Sequence, residues 1–457
     1  LKKRTKKLLL SGARPIKQTE LWGHPVGLAY LLATEAFERF SYYGMQALLV
    51  LYMAGHLLQP GTADHVFGLP TFRNIIESVT GKLTVQALAT QIFGLYTGLV
   101  YLTPIAGGIV GDRWLGRRRA ILIGLALMAA GHFLMAIESM FLVALATLAT
   151  GGALLKGSVP AQISGLYVPH DSRRDRAFSM FYMAINGGGM LAPLLCGTLG
   201  ELCGWAWGFG AAGIIMLGGL AAYIAGIRHT PPDPTAAQRA ARPANAIPAA
   251  ARLAAFAIVW LVAALFWTVV SQGWNTYTLW VRDHVDRHIL GHTVPVTWFA
   301  SLDAGVAVGL APLVLLIWAR QAKRRTEPHD LAKIALGCAG YAFYLLLLGA
   351  SHSALGWKLV PLAIVIPLTM LSAFAYLYVA PVLAALVARA VPANLTGTAV
   401  AVYYTTIFAG STASGSLGAL YGAISDLAFW CVHAAIVGVA AAIVVALRPF
   451  LSRALDD

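Results

Sequence analysis

Blocks of apolar residues long enough to cross a lipid bilayer follow one another along the whole chain. A helix needs about 20 residues at about 1.5 Å each to span the hydrocarbon core. Blocks of that size lie at 26–55, 85–109, 118–137, 140–167, 176–199, 206–227, 253–281, 296–319, 330–350, 357–387, 396–422 and 427–447. Composition agrees, since 58% of the 457 residues are hydrophobic and only 11% are charged. Soluble domains carry about 25% charged residues. The expected fold is an all-α membrane protein of twelve transmembrane helices.

An even number of spans puts both termini on one side. The terminal tails and the loops on that side hold 26 of the 33 Lys and Arg residues, and the opposite loops hold 5. Arg39 and Lys156 are embedded in spans. Positive charge marks the cytoplasmic side, so both termini are expected there. The net charge of +14 is thus topological. It does not point to nucleic acid, which would need a soluble basic domain. The basic stretch from Lys2 to Lys17 lacks a short apolar core with a small-residue cleavage site, unlike a cleaved signal peptide. The first span is expected to act as its own insertion signal. Cys196, Cys203, Cys338 and Cys431 fall in or beside spans, with no metal-ligand spacing and no disulfide framework. No cofactor or metal is expected.

A polar, Pro- and Ala-rich interruption runs from Arg228 to Arg252. It divides the chain into a basic tail (1–25), a six-helix bundle (26–227), a cytoplasmic linker (228–252), a second six-helix bundle (253–447) and a tail (448–457). The second-to-third loop, Gly107-Gly108-Ile109-Val110-Gly111-Asp112-Arg113-Trp114-Leu115-Gly116-Arg117-Arg118-Arg119, has a worn echo at Lys323-Arg324-Arg325. In the first copy, glycines permit close packing and a sharp turn. Asp112 is placed to accept from an arginine or a helix end. Arg113 and Arg117 belong to its basic rim, and Gly116 to its turn. This loop resembles the signature of the major facilitator superfamily. Two six-helix repeats are that superfamily's layout, with binding expected at mid-membrane between the halves. Pro104, Pro160, Pro193, Pro312, Pro367 and Pro381 lie inside spans, where proline is expected to kink a helix.

The first span carries Glu35-Ala-Phe-Glu38-Arg39-Phe40-Ser41-Tyr42-Tyr43 about 15–20 Å from its start. A charge at that depth costs at least a few kcal/mol unless it faces a partner or a wet cavity. Three on one turn suggest a polar path; the competing reading is an ion-pair knot that only holds helices together. Lys156 lies too deep in the fourth span to reach water easily. Tyr42 and Tyr43 are adjacent and cannot share one helix face, so one is expected to face the path while the other packs.

This first-span sequence resembles the proton-coupled oligopeptide transporter family. Tyr101-Leu102-Thr103-Pro104, Lys156 with Pro160, and Phe181-Tyr182-Met183-Ala184-Ile185-Asn186 continue the match. The resemblance implies that Arg39 and Lys156 hold a substrate carboxylate, that Tyr42, Tyr43 and Tyr101 line the pocket, that Asn186 holds peptide backbone, and that Glu35 and Glu38 serve proton coupling. Arginine grips a carboxylate with two parallel bonds, while lysine offers a point charge. A carboxyl that gains or loses such a cation changes its hold on a proton, which is the minimum needed for coupling. The second half departs from the family pattern. Ser271-Gln272-Gly273 stands where a Glu-Gln pair is usual, Gln46 where an arginine is frequent, Tyr376 where a glutamate is usual, and Tyr403 where a tryptophan is common. Asp303 stands where an asparagine is usual, and is expected to be an amine ligand or a second proton site.

These observations lead to a monomeric, non-enzymatic symporter of short peptides or peptide-like compounds in a bacterial inner membrane, driven by protons and working by alternating access. Gln272, Tyr376 and Tyr403 join the expected substrate site. Two alternatives remain at this stage. The same fold could carry a non-peptide carboxylate or another small anion, or the protein could be a membrane sensor that binds without transport.

Overall fold

The computed structural model describes residues 20–168, 171–233, 250–353, 358–389 and 396–456. Among them the first span is Val26–Tyr52, the second Val85–Val110, the third Arg117–Met135, the fifth Arg173–Ala192 and the sixth Trp205–Gly226. The eighth is Trp298–Lys323, the ninth Asp330–Ser353, the tenth Leu362–Arg389, the eleventh Thr396–Gly418 and the twelfth Asp426–Ala446. The fourth and seventh are each interrupted. The fourth stops at Lys156 and restarts as Val159–Gly165, with Pro160 in its first turn, where a missing N–H does no harm. The seventh runs Ala250–Val270, passes through the tight turn Ser271–Trp274 and resumes as Thr276–His284.

Among the described residues, ten helical segments are long and apolar enough to cross a membrane. The first and eleventh spans fall outside that set. The first carries three charges in one stretch, and the eleventh is rich in Thr, Ser and Gly. Proline acts less uniformly than expected. Pro104, Pro312, Pro367 and Pro381 lie within continuous helices. Pro160 opens a restarted helix, and Pro193 opens a wide five-residue turn, Pro193–Gly197. The chain after the twelfth span, expected as a tail, is instead the helix Arg448–Asp456. Leu451 is fully buried there, and Arg252 Nε donates to the Ala454 carbonyl at 3.3 Å. A further helix, Leu69–Thr80, is mostly exposed and lies between the first two spans.

The spans pack as two sets of six. The first lies against the fifth and sixth, the third against the fourth and sixth, and the second against the fourth. In the other set the ninth packs on the tenth and twelfth, the seventh on the eleventh and twelfth, and the eighth on the tenth. Most of the linker, 234–249, lies outside the described residues. Its first residues dock on the signature loop. Asp233 Oδ1 accepts from the Arg117 and Arg118 amides at 2.7 and 3.2 Å, and so caps the third span. A carboxylate at a helix start is favourable. Gly116 has φ +80°, and a Cβ there would lie 2.4 Å from Asp233 Oδ2; the turn therefore needs glycine. Arg117 Nε donates to Asp112 Oδ1 at 3.1 Å, while Arg113 is exposed.

The two sets meet where the second span crosses the eleventh and the fifth crosses the eighth. These junctions tighten at the end away from the basic loops. A Cβ on Gly94 would lie 2.4 Å from the Ser411 carbonyl oxygen and 2.6 Å from the Gly415 Cα. Gln86 Nε2 donates to the Tyr421 carbonyl at 3.0 Å, and Asn275 Nδ2 to the Thr90 carbonyl at 3.2 Å. Glu201 on the fifth span accepts from the Val296 and Thr297 amides at 2.8 and 2.9 Å. The seal thus rests on backbone-to-backbone proximity, which small residues alone allow.

A side chain at Gly94 should therefore pry this end open. Overpacking costs about 1–3 kcal/mol, and each 1.4 kcal/mol is about tenfold in an equilibrium. Thr90 is fully buried in the seal. In a Thr90→Cys background, an impermeant maleimide should label slowly, and at least about tenfold faster once Gly94→Leu is added. Equal labelling rates in the two backgrounds would show that Gly94 does not close this end.

Candidate functional site

The charged turn of the first span is held entirely inside the first six-helix set. Glu35, Glu38 and Arg39 are 5%, 0% and 6% exposed. Helical spacing puts Glu35 and Arg39 on one face, and Arg39 Nε lies 3.2 Å from Glu35 Oε1. Glu38 takes the guanidinium two-handed: Nη2 donates to Oε1 at 2.7 Å and Nε donates to Oε2. Parallel bonds of this kind are the strong form of an arginine–carboxylate pair. Arg39 is thus fully engaged within its own helix.

Lys156 has no carboxylate partner within ion-pair distance among the described residues. It sits where the fourth span breaks, and its Nζ donates to the Val100 carbonyl at 3.4 Å. The ammonium lies over the rings of Tyr101 and Tyr42, 4.4 and 5.0 Å from their centroids. The Arg39 guanidinium lies 5.3 Å from the centroid of the same Tyr42 ring. One aromatic ring is therefore within reach of both cations, and its electron-rich face is favourable to each.

Tyr42 is 2% exposed, and its hydroxyl has no hydrogen-bond partner among the described residues. Tyr43 points the other way, lines the cavity between the two helix sets and stacks on Trp274 of the seventh span at 5.5 Å. The pair divides as adjacent helical residues must. Of the remaining expected residues, Tyr101, Asn186, Asp303 and Tyr376 line the same cavity of about 240 Å³. Asn186 and Asp303 are exposed to it from opposite walls. Arg39, Lys156, Glu35 and Glu38 lie behind the wall that Tyr43 and Tyr101 form, outside its immediate lining.

Two expected residues are placed elsewhere. Gln272 is 1% exposed and turned into the second helix set, where its Nε2 lies 2.8 Å from His433 Nε2 and donates to the Ser414 carbonyl at 3.1 Å. The tight turn at Ser271–Trp274 causes this. It presents Ser271, Gly273 and Trp274 to the cavity and rotates Gln272 away. Tyr403 also stands back from the cavity, where its hydroxyl accepts from Trp267 Nε1 at 3.2 Å. Trp267 itself reaches the cavity, so the Tyr403 position acts through a neighbour.

The second wall holds residues that the sequence reading did not single out. Asp303 shares the cavity lining with Tyr277, Tyr341, Tyr344 and Ser372. Tyr341 and Tyr344 are three apart on the ninth span, a spacing that puts both on one face, and that face turns inward. Trp267 precedes the turn Ser271–Trp274 and Trp274 ends it, so the turn and not a helical spacing brings both to the cavity. Gln46 and Ser271 also line the cavity, yet they do not bond to each other. Ser271 pairs with Ser411 at 3.0 Å, and Gln46 Oε1 has no partner. Separately, His284, His352 and Asp426 meet at the far end of the second set. They come from three spans, so no local spacing could reveal them.

The arrangement is a cavity lined by aromatic rings, closed at one end, with Asp303 on one wall and the cationic cluster of Arg39 and Lys156 set behind the tyrosines of the other. It suits a small molecule carrying an anionic and a cationic end, provided the tyrosines let the anionic end through.

Known proteins agree with this architecture. The sequence model of the POT family matches residues 118–252 and 235–426. The chain is 28% identical to the peptide transporter YePEPT of Yersinia enterocolitica subsp. palearctica, over 87% of this chain and 88% of that one. It is 31% identical to the di-/tripeptide transporter of Lactococcus lactis subsp. cremoris, over 72% and 75%. Among solved structures, a mutant of a peptide transporter POT in complex with alafosfalin superposes with a TM-score of 0.81 at 26% identity, covering 96% of this chain and 98% of that one. With the fold matched end to end and the family's sequence pattern present through most of its length, the chain belongs to the POT family.

Proposed function

We propose that the protein is a secondary active transporter that moves short peptides or peptide-like compounds together with protons. The observation that carries this reading is the pairing of a fully engaged Arg39 with a carboxylate-free Lys156, both within about 5 Å of one tyrosine ring and beside a cavity with Asp303 on its far wall. Family membership and relatives that are peptide transporters support it.

The mechanism follows from competition for Arg39. An entering carboxylate meets Lys156 first and then displaces Glu38 or Glu35 from the guanidinium. A carboxylate left without its cation in a dry site is most cheaply neutralised by a proton. Substrate binding and protonation are thereby linked without any contact between them. Asp303 receives the substrate's ammonium on the opposite wall, and Tyr43, Tyr101, Tyr376 and Asn186 hold what lies between. The halves 26–227 and 253–447 rock about this site, tethered by the linker 228–252. Positive charge on the loop side of the termini puts the sealed end outside, so the structure corresponds to an inward-facing state in a bacterial inner membrane.

Removing a cation should cost binding directly. Arg39→Gln or Lys156→Gln should weaken equilibrium binding of a dipeptide by about 2–5 kcal/mol, the range for truncating one partner of a buried charge pair. Amidating the dipeptide's carboxylate should hurt binding to the parent far more than to either variant. Equal binding of free and amidated dipeptide by the parent would refute the carboxylate role.

Proton coupling should separate from translocation. In proteoliposomes with an imposed pH gradient, Glu35→Gln and Glu38→Gln should abolish uphill accumulation while exchange without a gradient continues. Parental accumulation in the double variant would remove both glutamates from coupling.

Asp303→Asn should erase the preference for substrates with a free amine over N-acylated ones. This is read as a ratio of competition constants that falls toward one. If that ratio keeps its parental value, the ammonium binds elsewhere.

A further inference from the structure

We propose that His284, His352 and Asp426 form a binding site for a divalent transition-metal ion of the zinc class, separate from the transport cavity. His284 ends the seventh span, His352 lies in the last turn of the ninth, and Asp426 opens the twelfth. Asp426 Oδ2 lies 3.0 Å from His284 Nε2 and 3.2 Å from His352 Nδ1. The imidazole centroids are 4.2 Å apart, and all three ligand atoms lie within 4.8 Å of one another.

Among the described residues, Asp426 Oδ2 is buried and makes no hydrogen bond of acceptable geometry, although two ring nitrogens lie 3.0 and 3.2 Å from it. A buried acceptor left this way is expensive, and a shared cation would satisfy it. The distances fit such an ion. Tetrahedral zinc with ligands at about 2.0–2.2 Å has ligand-to-ligand edges of about 3.3–3.5 Å. The two observed edges are within about 0.5 Å of that. Two imidazoles and one carboxylate form a nitrogen-rich set that suits zinc-like ions and disfavours calcium and magnesium, which take oxygen ligands. Three protein ligands leave the fourth position to water. The side chains are 22%, 29% and 14% exposed, so an ion can enter from the aqueous face. Asp283 stands close by and adds negative charge.

The site ties three helix ends of one half together beside the seal. Tyr421 hydrogen-bonds to Asp283 through its hydroxyl at 3.4 Å, and its carbonyl receives Gln86 from the other half. A bound ion would therefore stiffen the rim against which the two halves close.

The test uses the tag-free full chain, purified in detergent and stripped with a chelator. Zinc is titrated in competition with a chromogenic chelator, and cobalt is titrated with visible absorption as the readout. The parent should bind one zinc per chain at this site and show the intense visible bands of tetrahedral cobalt. His352→Ala and Asp426→Asn should each bind at least about tenfold more weakly, since even the loss of a partner beyond the ligands costs about 10–100-fold. His288→Ala, an exposed histidine of the neighbouring loop, should match the parent. Zinc should raise the melting temperature of the parent and of His288→Ala, and leave the other two unmoved. Should a variant prove too unstable to purify, His284→Gln and His352→Gln serve the same comparison. Binding of equal strength and number in the parent and the ligand variants would overturn the proposal, as would an absence of zinc binding to the parent.

Discussion

A guanidinium gripped by two carboxylates inside the first span is the constraint around which this protein is arranged. Arg39, Glu35 and Glu38 are close to fully buried, and breaking such a cluster by removing one partner costs about 3–5 kcal/mol. The charged face of the first helix must therefore sit where neither lipid nor bulk water reaches it, enclosed by the helices around it, while Phe37 on another face is exposed. The fifth span makes this possible by having no side chains where the two meet. A Cβ on Gly188 would lie 3.0 Å from the Arg39 Cβ, and one on Gly189 would lie 3.3 Å from the Tyr43 ring. Gly188 and Gly189 are thus the counterpart of the charge cluster. The sixth span repeats the device, since a Cβ on Gly219 would lie 3.1 Å from the Phe37 Cβ. Charge burial, close helix approach and glycine placement are one requirement seen three ways.

Much of this was legible in the sequence. The order of spans, the charged turn, the signature loop and the depth of Lys156 all follow from local pattern and the cost of charge in lipid. The first-span signature lies outside the residues that the family's sequence model matches, so the two lines of evidence are independent. What escaped was decided by backbone detail. The seventh span reads as one apolar run, yet a tight turn at Ser271–Trp274 rotates Gln272 into the second helix set and offers Trp274 to Tyr43 instead. The capping role of Asp233 escaped for a related reason. It closes the third span from a hundred residues away in sequence, and nothing in its Pro-rich surroundings marks it as a cap. Tyr277, Tyr341 and Tyr344 belong to the same class, because a tyrosine in a span reads equally well as packing or as lining.

The junction between the halves shows what replaces an ionic latch. In the family pattern the positions held here by Gln46 and Ser271 carry an arginine and a glutamate, which the resemblance pairs across the halves. Both line the cavity, and neither bonds to the other. Closure is carried instead by glycine contacts around Gly94 and Gly415 and by Glu201 receiving two amides across the fifth and eighth spans. Contacts of this kind are short-ranged. Van der Waals and amide bonds vanish within about an ångström or two of opening, whereas an ion pair in a dry site would persist over several. A seal built this way releases sharply once the halves begin to part, which favours two discrete states over a gradual opening.

The charge balance of the site gives the proposed coupling its physical basis. Fully ionised, the two walls carry two cations, Arg39 and Lys156, and three carboxylates, Glu35, Glu38 and Asp303. The tenth-span position that holds a glutamate in the family pattern is Tyr376 here, and Asp303 stands on the eighth span, which packs against the tenth. The negative charge has moved to a neighbouring helix of the same wall and has not been lost. A zwitterionic substrate adds no net charge, so an occupied site would remain one unit negative. Enclosing that unpaired charge in a low-dielectric cavity is what makes closure costly. One proton on the carboxylate that the substrate displaces from Arg39 restores neutrality. In the proposed mechanism the step that needs the proton is the closing of the loaded site, and the substrate's own carboxylate creates the vacancy for it.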